Sequence, residues 1–165
     1  MIVGRRGTEA RIAKPYDQRT TTNDQRRRSR HAAAWLVLLG AFSLHVLDEA
    51  LTGFLDFYNP LVLRVRERWA SFPMPTFTFE GWMTMLVIVL TVLALFTFAV
   101  KRGAPGASVA SWLFAGIMAV NGAAHLVGSA YFGRWLPGAT SAPLLVAAAW
   151  YLIAQSSRRD TETPG

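Results

Sequence analysis

The chain has 165 residues, 52% of them hydrophobic and only 16% charged, with a formal net charge of +7 and no cysteine. That is room for one domain, with less charge than an ordinary soluble surface carries. The absence of cysteine excludes disulfides, thiol catalysis and any Cys-based zinc site.

The first element in chain order is the segment 1–30, which holds nine of the 17 Lys and Arg residues. It has a single aromatic residue, Tyr16, a polar run at 20–24 and little apolar surface to bury. Composition therefore predicts a disordered basic cytoplasmic tail. Binding of single-stranded nucleic acid needs aromatic platforms among the basic groups, and this tail lacks them. Its run Arg26-Arg27-Arg28-Ser29-Arg30 stands directly before an apolar span, where the positive-inside rule accounts for it. The expected partner is the lipid bilayer and not nucleic acid. A cleavable signal is not expected either, because the basic region and the apolar run are both too long.

Four apolar spans follow, at about 31–55, 81–100, 108–132 and 140–154. A helix of about 20 residues crosses the hydrocarbon core. The first three are long enough; the fourth is short and carries Pro143 near its start. The pattern predicts an all-α integral membrane four-helix bundle over 31–155, flanked by cytoplasmic tails 1–30 and 156–165. The tail, the Lys101-Arg102 loop and Arg158-Arg159 fall on one side and hold 13 of the 17 basic residues. That bias places both termini in the cytoplasm. The connection 56–80 is then external and rich in aromatic residues, including Phe57, Tyr58, Trp69 and Phe77. Its part 61–72 reads as an interfacial segment ending at Pro73-Met74-Pro75.

Ionisable residues inside the spans carry the functional signal. His45, Asp48 and Glu49 stand at i, i+3 and i+4 of the first span and so share a face. Asn121 and His125 do the same in the third, on a helix made slender by Gly116, Gly122, Ala123, Ala124 and Gly128. Both spans run outward. Glu49 lies 18 residues beyond His31, and His125 lies 17 beyond Ser108. At about 1.5 Å per residue the two patches reach one layer in the outer half of the membrane. His45 and Asn121 match in the same way, and Glu80 enters the second span near that layer.

Imidazole with carboxylate suits a divalent ion such as Zn or Fe. His45, Glu49 and His125 are the candidate ligands. Asp48 is a fourth ligand or a base, and Asp48 and Glu49 are the candidate catalytic groups. A bound ion would activate water at neutral pH; without one, the same groups can relay protons or serve as acid and base toward a lipid-like molecule. Purely structural hydrogen bonding is a poor reason for them. Such interhelical contacts average about 0.6 kcal/mol, while burying charged carboxylates costs several times more. The functional classes that follow are a metal-dependent enzyme, a small proton- or ion-coupled transporter subunit, and a non-catalytic membrane-interaction protein.

The run His45-Val46-Leu47-Asp48-Glu49, with Asn121-Gly122-Ala123-Ala124-His125, Tyr131, Pro137-Gly138-Ala139-Thr140 and Pro143, resembles the HXXEE-domain family of small membrane proteins. Asp48 stands where that motif has its first Glu. The resemblance covers about residues 32–155 and implies a multi-span fold with no assigned activity.

Overall fold

The computed structural model describes residues 15–157, and side chains from 22 to 155. Residues 1–14 of the expected tail, and 158–165 with Arg158 and Arg159, lie outside the described residues. The described residues form five helices: α1 Pro15–Leu51, α2 Phe54–Arg68, α3 Phe79–Arg102, α4 Ala107–Phe132 and α5 Ala142–Ser157. No strand occurs among the described residues.

α1 is already helical at Pro15, the first of the described residues. Residues 15–30 are therefore helical, where the composition had predicted disorder. The apolar stretch beyond them supplies the nucleus, and each added residue of the Gln- and Arg-rich run only extends it. The helix stops at Leu51 because Gly53 turns left-handed, at φ 76°. Gly53 also opens α2, so the segment expected at 61–72 starts earlier, at Phe54, and ends at Arg68. The chain after α2 is strapped back along it. Asn59 donates to the Phe77 carbonyl at 2.9 Å and accepts from the Phe77 amide at 3.1 Å, while Tyr58 donates to Pro75 and Arg66 to Met74.

Three helices, α1 over Thr22–Leu51, α3 and α4, are long and apolar enough to cross a membrane. The fourth expected span, short already in the sequence, is the shorter apolar helix α5, which follows a loop at 133–141 that folds back on the bundle. α1 runs antiparallel to α3. Arg28 lies beside Gly103 at one end, Trp35 Nε1 donates to Thr97 Oγ1 at 3.0 Å, and Phe54 stacks on Trp82 at the other end. α5 packs between α1 and α4. Its approach to α4 is close: a Cβ at Gly122 would stand 2.7 Å from Val146 Cγ2 and 3.1 Å from the Ala142 carbonyl. Small residues at such a contact let backbones approach where lipid gives no hydrophobic drive for association.

The distribution of polarity is inverted relative to a soluble bundle. Ile88, Leu95, Phe98, Ile117, Val120 and Val127 are exposed, while His45 is fully buried and Glu49 and His125 nearly so. In water so large an apolar surface would drive association. In a bilayer it is matched by acyl chains, so this is the surface of a membrane protein.

Candidate functional site

Two helices and one loop converge on a layer near the α2 end of the bundle. α1 brings His45, Asp48 and Glu49; α4 brings Asn121 and His125; the 133–141 loop brings Pro137, Gly138 and Ser141. The depth-matched pairs are in contact. Glu49 Oε1 is 3.0 Å from His125 Nε2, and His45 Nε2 is 3.2 Å from Asn121 Nδ2. Glu49 Oε1 is also 3.6 Å from His45 Nε2. The two imidazole rings meet edge to face with centroids 4.8 Å apart. One donor atom from each of His45, Glu49 and His125 lies within 4.8 Å of the others.

The partners fix where the ring protons are. His125 Nδ1 is 2.7 Å from the Pro137 carbonyl, which only accepts, so Nδ1 carries a proton and donates it. Ser141 Oγ is 2.8 Å from Asp48 Oδ2, and the Ser141 amide donates to the same oxygen at 2.9 Å. The hydroxyl proton goes to the carboxylate, which leaves Oγ to accept from His45 Nδ1 at 2.8 Å. Both rings therefore present Nε2 to Glu49, and His45 Nε2 accepts from Asn121. A lone pair and a carboxylate oxygen 3.0 Å apart repel unless a proton or a metal cation lies between them.

Asp48 does not join the triad of donors. It turns toward the N-terminus of α5, where a carboxylate meets the free amides and the positive end of the helix dipole. Glu80 is exposed in the first turn of α3 and is not among the three grouped donors. The sequence names Pro137 and Gly138 only through the family resemblance, with no site role, and does not point to Ser141. Ser and Pro-Gly in a loop carry no periodic signal, and only the folding back of 133–141 brings them to the histidines. Gly138 is positioned by necessity: its φ is 80°, and a Cβ there would be 2.8 Å from His125 Cε1 and 3.0 Å from Glu49 Cγ.

A cleft of about 320 Å³ opens beside Glu49. Phe54, Phe77 and Trp82 form its apolar walls, and Asp56 and Asn59 lie on its polar side. It joins the cluster to the α2 end of the bundle, where the aromatic connection 56–80 lies.

No curated protein and no solved structure matches this chain. A family model described as "Protein of unknown function with HXXEE motif" matches residues 35–152, a stretch that includes all of the converging residues named above. The chain thus belongs to the HXXEE family, with His45, Asp48 and Glu49 written as H-x-x-D-E.

Proposed function

We propose that the protein is a multi-pass membrane enzyme whose centre is a divalent ion held by His45, Glu49 and His125, acting on a lipid-like molecule that reaches it through the cleft beside Glu49. α1, α3, α4 and α5 all cross, the last in a locally thinned bilayer, so both termini are cytoplasmic and the centre sits in the outer half.

The observation that carries this reading is the convergence of the His45 and His125 Nε2 atoms on one carboxylate oxygen, with both Nδ1 atoms held by acceptors; an ion would take the His45 Nε2 lone pair from the Asn121 amide. Ligating histidines are oriented in this way, by donating the other ring nitrogen to a carbonyl, a hydroxyl or a carboxylate. The spacing fits. Ligands about 2.0–2.1 Å from a tetrahedral ion stand about 3.3 Å apart, and Glu49 Oε1 is 3.0 and 3.6 Å from the two imidazoles. Two histidines and one carboxylate serve zinc hydrolases and non-haem iron enzymes, and leave positions open for substrate. The ion supplies a Lewis acid. The chain's own residues orient its ligands, exclude bulk water from one side and offer aromatic walls to an apolar tail.

Transport is less well supported. Toward the cytoplasmic end the cluster is sealed by buried Leu38, Ala41, Phe42 and Leu145. No titratable side chain interrupts α1 between His31 and His45. A site open to one side suits a reaction better than passage.

A cobalt-loaded protein tests both ion and cleft. An alkyl hydroxamate should perturb the cobalt ligand-field bands, and a long chain should bind more tightly than acetohydroxamate. Trp82→Ala should reduce that chain-length preference. Equal binding of long and short chains would sink the lipid-like substrate while leaving the ion in place. Ser141→Ala tests the orienting chain: ion affinity should fall by roughly 10–100-fold with the helical signal retained, as read by competition with a chromophoric chelator. Unchanged affinity would remove Ser141 and Asp48 from the site.

A further inference from the structure

A second recess lies at the opposite end of the bundle, unrelated to the histidine cluster. It measures about 790 Å³ and is bounded by the N-terminal part of α1 and the C-terminus of α3. On α1 its lining follows one helical stripe, from Gln25 through Arg28 and Ala32 to Leu36. The stripe changes from polar to apolar over about 16 Å. Lys101 and Arg102 face it from α3.

The charge here has no internal use. Among the described residues, Arg28, Lys101 and Arg102 make no ion pair. Asp24 is the one acid in the lining, so the recess keeps a net charge of +2. Arg28 is seated by a glycine: Gly103 closes α3 at φ 64°, and a Cβ there would lie 3.2 Å from Arg28 Nε. The apolar floor continues into the exposed, lipid-facing surface at Ala33 and Leu36.

We infer that this recess binds one anionic phospholipid of the adjoining leaflet. Its phosphate is held by Arg28, Lys101 and Arg102, and its acyl chain runs along Ala33 and Leu36. A general positive-inside bias needs only basic residues in water beside the membrane. It does not need a recess with cations at one end and an apolar floor at the other. A free phosphate would use the cations and leave the floor unmatched.

Detergent-solubilised full-length protein removes the charged membrane surface from the experiment. Native mass spectrometry with dioctanoyl phosphatidylglycerol should show one bound lipid, preferred over dioctanoyl phosphatidylcholine. Arg28→Gln with Arg102→Gln should weaken binding by roughly 25-fold, at about fivefold per cation. Arg26→Gln with Arg30→Gln removes the same charge from exposed positions outside the recess and should leave binding within about twofold. If the first pair does not fold, Lys101→Gln alone, at the exposed end of α3, should cost about fivefold. Equal losses in both double variants would reduce the effect to diffuse charge and overturn the inference. So would equal binding of the two lipids, or displacement of the lipid by inorganic phosphate at matching concentrations.

Discussion

Glu49→Gln is expected to abolish ion binding by the purified protein, and His125→Ala to do the same. The carboxylate is the one anionic donor between two neutral imidazoles, 3.0 and 3.6 Å away. Its amide analogue keeps the shape but removes the charge that draws a cation into a low-dielectric layer. The loss should exceed the roughly 10–100-fold that follows removal of an orienting partner. Thermal stability gives a second readout. An ion at about 100 times its dissociation constant stabilises a protein by about 2.7 kcal/mol. Wild type should show that shift on ion addition and both variants should not. If a shared proton holds Glu49 to His125 instead, wild type and Glu49→Gln will melt alike with and without added ion.

Gly138→Ala is the second large effect, and it acts without touching a ligand. The substitution forces an L-residue to φ 80° and drives a Cβ to 2.8 Å from His125 Cε1 and 2.9 Å from its Nδ1. Left-handed backbone at a non-glycine residue costs about 1–3 kcal/mol. The clash adds a displacement of His125 from the Pro137 carbonyl, which holds its ring at 2.7 Å. Gly133→Ala is the matched control, since Gly133 has φ 61° and nothing within 4 Å of the added atom. Both variants should lose stability, and only Gly138→Ala should also lose ion affinity. Equal retention of the ion in both would mean that the loop does not position His125.

The contrast between Asp48 and Glu49 shows what a sequence can disclose. Spacing puts both beside His45 on one helix. At about 100° per residue, however, they flank it on opposite sides. Glu49 swings toward α4 and Asp48 toward the start of α5, a difference settled only by where the neighbouring helices stand. The contacts of Glu49 with His125 and of His45 with Asn121 were legible. Two straight helices that run in the same direction keep the same rise, so counting residues from the inner edge measures depth. Ser141 was not legible, because nothing local says that 133–141 folds back onto α4. Leu136 does so by burying its side chain and donating its amide to Ser129 Oγ at 3.1 Å. Residues 15–30 are illegible for the opposite reason: their composition alone is that of a disordered tail, and the long apolar helix they adjoin extends into them.

The most direct test is elemental analysis of full-length wild-type protein purified in detergent without chelator, beside Glu49→Gln prepared in the same way. About one first-row divalent ion per wild-type chain is expected, lost as pH falls because the imidazoles must be neutral to bind it, and next to none in the variant. Wild-type protein that stays free of metal after incubation with zinc, iron or cobalt at neutral pH would contradict that expectation.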